Sequence, residues 1–304
     1  TVYAASWGNG MWRSGNGGGG WVEINTGLSG VIVHSVAVHP AVGPIAYAGT
    51  VGNLYKTEDG GITWQLFEGI SDNFFDVVIS PVDPETVFAC GIYDIIRTRD
   101  GGTTWTSVRN NLPAGYIRSV VIHPYSRDTV YVGLEPHSGT EQVVFRSTNG
   151  GDTWTAACAG LPVGDVMDLL LIPEEPNTLY AAFWSNAVYK TTNGGVTWTP
   201  AATGLPTYCT MDLAAHPTQP NILYLATGSG VYRTVDAGAS WFPCNNGLSN
   251  LWVESVEVNL HAPNMVYAGT IEGLCVSDNS GESWEPADPA FNNIVVYSMA
   301  FGPL

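Results

Sequence analysis

The chain has 304 residues, 45% of them apolar and 12% charged, and carries a net charge of −17. This composition supports a large buried core and excludes the basic surface that nucleic acid or an anionic membrane would need; no stretch approaches the ~20 consecutive apolar residues of a membrane span. The five cysteines (Cys90, Cys158, Cys209, Cys244, Cys275) are scattered without Cys-x-x-Cys or Cys/His metal spacing, so they read as small buried hydrophobes and no metal or cofactor is expected.

The first predicted element is a strand over residues 1–6. No initiator Met or basic leader precedes it, so the chain is expected to be processed or excised from a longer one. Residues 14–21 then form a short phrase ending on Trp21. The same phrase ends on Trp64, Trp105, Trp154, Trp198, Trp241 and Trp284, at gaps of 43, 41, 49, 44, 43 and 43 residues. Fixed periods in the forties mark stacked or radial repeats of one supersecondary unit.

Residues 31–67 give the type repeat. Strand A runs over 31–38 and breaks at His39-Pro40; strand B covers 45–50, strand C 54–57 and strand D 63–67, with a Gly-rich tip between C and D. Four short antiparallel strands with such tips make a propeller blade. The fourth repeat has the long spacing, and its extra residues fall in 134–142, with Glu135 and His137. The last element, Val295–Phe301, reads as a strand A without a blade of its own. The 20 residues after Trp284 and the 21 up to Trp21 together make 41, one repeat. The prediction is therefore all-β: one seven-bladed β-propeller domain over 1–304, four antiparallel strands per blade. Blade 1 is shared by residues 1–25 and 294–304, and the C-terminal strand A closes the ring and removes its open edge.

The phrase, clearest as Thr57-Glu-Asp59-Gly-Gly61-Ile-Thr63-Trp64, resembles the Asp-box, or bacterial neuraminidase repeat, Ser/Thr-x-Asp-x-Gly-x-Thr-Trp. Seven copies carry the resemblance along the whole chain; the first is degenerate, with Gly20 in the Thr position. The acidic position holds Asp59, Asp100 and Asp236 in three copies but Asn16, Asn149, Asn193 and Asn279 in four. Both side chains accept hydrogen bonds in a turn, and only Asp could act as acid, base or nucleophile. These seven residues are therefore read as structural, with the Trp a plug beneath the turn, and no catalytic residue is assigned. Six of the ten cations (Arg13, Lys56, Arg97, Arg146, Lys190, Arg233) also recur at one position, immediately before the phrase.

Strand alternation places the C–D tips on one face and the D–A and B–C links on the other. Five residues before the strand-ending proline position stand Ser35, Asp76, Ser119, Asp168, Asp212, Ser255 and Ser298, which suggests a shared hydrogen-bonding role. One residue earlier the repeat dissolves into His34, Phe75, Arg118, Met167, Met211, Glu254 and Tyr297. Two further back come Ile32, Asn73, Tyr116, Asp165, Cys209, Trp252 and Val295, and the B–C links add Trp7, Tyr93, Asp94, Trp184 and Glu272. From these, Trp7, His34, Tyr93, Tyr116, Arg118, Asp165, Trp184, Trp252, Glu254 and Tyr297 are the candidate binding residues. Flat rings beside carboxylates suit sugar recognition or a protein partner on the face opposite the Asp-boxes.

Asp-box propellers include glycoside hydrolases, which need two carboxylates flanking the bond; Asp165 with Glu254, or Asp94 with Glu135, offer such pairs. Sialidases carry an arginine cluster and a Phe-Arg-Ile-Pro-like segment, both missing here. Val266-Tyr-Ala-Gly-Thr270 and Gly230-Val-Tyr-Arg-Thr234 look most like xyloglucanase-type hydrolases. Those pair two propellers and place an Asp after the Tyr-Ala-x-Thr strand, where this chain has Trp7, Val51 and Ile271. Single-ring photosystem II assembly-factor propellers resemble it in architecture but carry an Arg-rich patch. The expectation is a non-catalytic binding or scaffolding propeller for a glycan or protein partner, the alternative a glycoside hydrolase or a fragment of one. Low charge and richness in Trp, Thr, Gly and Asn suggest an extracytoplasmic or secreted protein.

Overall fold

A computed structural model describes residues 1–29, 32–137 and 139–303. Val31 (the expected start of a strand A), Ser138 (in the long fourth repeat) and Leu304 (at the end of blade 1's second share) lie outside the described residues. The chain forms seven four-stranded antiparallel sheets, each a meander with A innermost and D outermost. In blade 2 the strands are Val33–Val38, Ala46–Thr50, Leu54–Thr57 and Gln65–Leu66. Strand D is shorter than the predicted 63–67, because Thr63 is held by the C–D turn and Trp64 NH bonds the carbonyl of Thr26 in the preceding link.

Blade 1 is closed as the repeat spacing implied. Val295–Phe301 pairs with Val2–Trp7, which continues to Gly10–Ser14 and Val22–Glu23. Trp7 is a correction: it ends strand B, paired with Val295, instead of lying in the B–C link. In blade 4, strand B runs through Val130–Pro136, so Leu134 and Glu135 extend the strand and pair with Ile117 and Tyr116.

Strand B is fully buried in every blade except at its ends, because sheets cover both of its faces. The core consists of seven apolar clusters, one per seam between neighbouring blades. Seam 1–2, for example, gathers Tyr3, Met11 and Ile24 of blade 1 with Val33, Val36, Tyr55 and Trp64 of blade 2. Each such side chain contributes about 1.5–3 kcal/mol by burial, and the clusters tie each blade to its neighbour.

The phrase acts across the seam. Trp64 Nε1 donates to the Ile24 carbonyl of the preceding blade at 2.8 Å, and Trp154, Trp198, Trp241 and Trp284 do the same to Val108, Ala157, Ala201 and Cys244. The Asp/Asn alternation has a direct geometric reason. Asp59 Oδ1 accepts Thr63 NH and its Oδ2 accepts the Thr63 hydroxyl, whereas Asn149 accepts Thr153 NH and its Nδ2 donates to the Thr153 hydroxyl oxygen. A hydroxyl serves either partner. These bonds, the side-chain one foremost, hold Asp100 and Asp236 down at about 2, so both stay ionised acceptors at neutral pH. The repeated cation is a second seam tie: Arg13 donates to the Gly60 carbonyl of the next blade's tip, Lys56 to Gly101, Arg97 to Gly150 and Lys190 to Ala237.

Candidate functional site

The central channel is lined by the seven strands A, and a belt of hydrogen bonds circles it. Ser35 Oγ accepts Val77 NH, Asp76 accepts Val120 NH, Ser119 accepts Leu169 NH, Asp168 accepts Leu213 NH and Asp212 accepts Val256 NH. The Ser35 and Ser119 hydroxyls also donate to Asp76 and Asp168, and Ser255 donates to the Val296 carbonyl. Six of the seven belt residues therefore clip their blade to the next; among the described residues no such bond is made by Ser298.

Every strand A carries a β-bulge immediately before the belt, as between Val33 and Ser35 or Val253 and Ser255. The extra residues are His34, Phe75, Arg118, Met167, Met211, Glu254 and Tyr297. A bulge leaves its residue outside the ladder and re-aims the side chain. All seven line one pocket of about 190 Å³ at the channel mouth, above Asp76, Asp168, Asp212 and Glu257. This explains why the repeat dissolves there: the belt residue must hold the next blade, whereas the bulged residue faces the opening.

Two aromatic arcs flank the mouth. Ring centroids run Trp7–Tyr297 5.7 Å, Tyr297–His34 5.4 Å, His34–Phe75 5.6 Å, Phe75–Tyr116 6.4 Å and Tyr116–His137 4.9 Å. Opposite, Trp184 and Trp252 lie 6.4 Å apart, and Trp252 Nε1 donates to Glu254 Oε1 at 2.8 Å. Arg118 lies 4.2 Å over the Phe75 ring, and its Nε and Nη2 both donate to Glu135 Oε2 at 2.7 and 2.5 Å. Trp7 is 52% exposed, while Trp184 and Trp252 are half-buried and pack against the core between blades 6 and 7. Tyr93 is 76% exposed and joins neither arc; its link is held instead by Asp72, a buried carboxylate that accepts the backbone NH groups of Ile92, Tyr93 and Asp94.

Electrostatics follow from enclosure. Burial, and next Arg118, pushes His34 down to about 4, so it is neutral at physiological pH. Burial pushes Asp76 up to about 6; burial and then the neighbouring carboxylates push Asp168 to about 7 and Glu257 to about 8, and raise Asp212 well above the carboxylate range. These carboxyls are partly accessible from the channel but surrounded by protein, and the enclosure dominates. The mouth thus offers proton-bearing and ionised carboxyls with one arginine that is already paired.

Of the acids paired in the sequence reading, Asp94 and Asp165 each have other neighbours. Asp94 accepts the Ser107 hydroxyl and Ile95 NH. Asp165 is raised by burial and then by Glu135, with Arg118 opposing, so its electrostatic partner is Glu135. Sequence reasoning missed Glu257, Asp72 and the Arg118–Glu135 pair. Glu257 alone carried a signal, as the one acid where other blades have Ala37, Val78, Val121, Leu170, Ala214 and Ala300.

Residues 2–212 match the family model of the DUF6242 beta propeller domain, and the chain belongs to that family. No curated protein matches it in sequence. Among solved structures it is similar to a GH74 enzyme from Niastella koreensis, with a TM-score of 0.79 and 19% identity over 96% of this chain and 52% of that one. The GH74 xyloglucanase from Xanthomonas campestris gives a TM-score of 0.67 and 18% identity, covering 90% of this chain and 46% of that one. YCF48 from Cyanidioschyzon merolae gives 0.64 and 15% identity over 86% of each chain, and YCF48 bound to D1 peptide gives 0.64 at 16%, covering 85% of this chain and 81% of that one. At such identities the likeness is one of fold. The chain spans about half the length of the GH74 proteins and most of YCF48.

Proposed function

We propose that this member of the DUF6242 beta-propeller family is a non-catalytic binding module whose channel-mouth face takes a glycan or protein partner, a neutral glycan being the partner that the mouth suits best. The observation that carries the reading is that all seven bulged residues turn into one mouth and, Met167 and Met211 apart, differ from blade to blade, between two aromatic arcs. Rings pack on pyranose C–H faces, and carboxyls in both protonation states donate to and accept from hydroxyls. The only cation lining the mouth among the described residues, Arg118, is engaged by Glu135, which disfavours acidic ligands. Placement outside the cytoplasm, where glycans are met, belongs to the same proposal. Solved relatives of the fold include a xyloglucanase and a protein captured with a peptide, so both partner classes have precedent on such rings.

Glycan-array binding of the parent and of Trp184→Ala and Trp252→Ala tests this. Both variants are expected to keep their circular dichroism spectrum and lose the glycans that the parent binds; an unchanged profile in both refutes the assignment. A second reading, a glycoside hydrolase or half of one, rests on the raised Asp165 beside Glu135 and Arg118. Release of reducing ends from β-glucan or xyloglucan oligosaccharides would favour it.

A further inference from the structure

A groove of about 390 Å³, larger than the mouth pocket, lies on the outer wall between blades 4 and 5. Its origin is legible in the seams. At six of the seven seams the residue after strand D packs on the second glycine of the next blade's tip, as Ile24 on Gly61, Phe67 on Gly102 and Val108 on Gly151. In seams 1–2, 2–3 and 3–4 that side chain fills the space, and the repeated cation is tied to the next blade's carbonyl. Seam 4–5 departs on both counts. The filling residue is Ala157, beside Gly195. The Tyr131 hydroxyl donates to the Gly194 carbonyl, as Tyr47 and Tyr180 do to theirs in seams 2–3 and 5–6, but among the described residues no hydrogen bond joins Arg146 to blade 5. Its guanidinium lies over the Tyr131 ring, 5.6 Å from the centroid, and its buried Nε has no partner.

Other seams share only part of this. Seam 5–6 also has a small residue, Ala201, but its groove is smaller, about 230 Å³, and Lys190 is bound to Ala237 O. In seam 6–7 the Nε of Arg233 also lacks a partner, but Cys244 packs on Gly281. Arg146 lines the groove, and among the described residues its guanidinium has no carbonyl or carboxylate acceptor, so an accepting ligand in the groove would supply one. In a chain of net charge −17 this is an anion-accepting point with a single cation. A single cation suits a monoanion better than a dianion, and the fork of an arginine matches a carboxylate. The rest of the groove is half apolar, formed by Ala157 and Val196, with the Thr153 and Thr155 hydroxyls at its rim.

We propose that the blade 4–5 seam binds a small organic carboxylate, with Arg146 holding the carboxylate and the Ala157–Val196 side covering a short apolar body. This site is independent of the mouth. Cys158, partly exposed in the groove wall, supplies a reporter, and Cys244, in another seam with its thiol pushed up to about 12 by burial, a slower-labelling internal control.

The probes are sodium butyrate and sodium phenylacetate, with phenylacetamide and inorganic phosphate as controls. Binding is read by calorimetry and by alkylation of Cys158 with N-ethylmaleimide, mapped by peptide mass spectrometry. At least one acid is expected to bind saturably and slow Cys158 labelling several-fold, leaving Cys244 unchanged, while amide and phosphate do neither. Arg146→Gln should weaken binding by about tenfold or more, as loss of a charged hydrogen bond does. Ala157→Phe, which installs the filling residue of seam 2–3, should abolish binding while keeping or raising the thermal midpoint. The proposal is overturned if neither acid binds, if amide or phosphate protects Cys158 equally, or if either folded variant binds like the parent.

Discussion

Glu257→Gln is expected to stabilise the ring, and to do so only away from acid pH. Glu257 lies under the belt in the channel, without a hydrogen bond that would favour its charge, and burial moves it from near 4.5 to about 8. The sign follows from proton linkage. A carboxyl whose value is raised by folding contributes stability that is fully present below its unfolded value and is lost as pH rises through the folded one. Each pH unit between the two is ~1.4 kcal/mol, which sets a ceiling of about 4–5 kcal/mol above pH 8. The carboxyl is still partly accessible from the channel, so roughly half of that, about 2 kcal/mol, is expected to be regained by the neutral isostere, or about 4 °C in the melting midpoint. The assay is thermal unfolding of both proteins at pH 5 and pH 8.5. His34, His123 and His216, all lowered by burial, act in the opposite sense as pH rises towards 6.5, but they are common to both proteins and cancel in the difference. A gain at pH 8.5 with almost none at pH 5 is the expected pattern. Equal gains at both, or none at pH 8.5, would refute the argument that enclosure controls the channel acids.

Three further outcomes are expected. Gly204→Ala should destabilise by about 2–4 kcal/mol in denaturant melts, because its φ is +92° and a Cβ would stand 2.3 Å from the Trp241 carbonyl oxygen. Gly52→Ala, at φ +93° with nothing within 4 Å, should cost only about 1 kcal/mol. Trp241→Phe should cost about 1 kcal/mol more than Trp105→Phe in the same melts, since Trp241 Nε1 bonds Ala201 O while Trp105 Nε1 is buried without a partner. Asp59→Asn should leave the melting midpoint almost unchanged, and Asp59→Ala should lower it, because only alanine removes the acceptor for Thr63 NH.

The ring was legible because its period is long, regular and marked by tryptophan, and its closure because the two terminal fragments complete one repeat. The belt was legible too, since Ser35, Asp76 and their counterparts recur as small polar residues. The bulge was not: the sequence shows that the position of His34 and Arg118 varies, but only strand pairing shows that it is an inserted residue turned into the channel. Arg118 with Glu135 was hidden for a related reason, because the long fourth repeat extends strand B and so brings Glu135 beside strand A. The role of the repeated cation was invisible because its acceptor stands 45 to 53 residues further along, in the next blade, as for Lys56 and Arg97.

The most direct test of the mouth as the binding face is amide hydrogen exchange with the best ligand from the glycan array. Protection is expected at the bulges around His34, Arg118 and Glu254 and in the Trp184 and Trp252 segments, with the Trp-phrase turns around Asp59 and Asp236 unchanged. Protection confined to those turns, or to the outer strands D, would contradict the account.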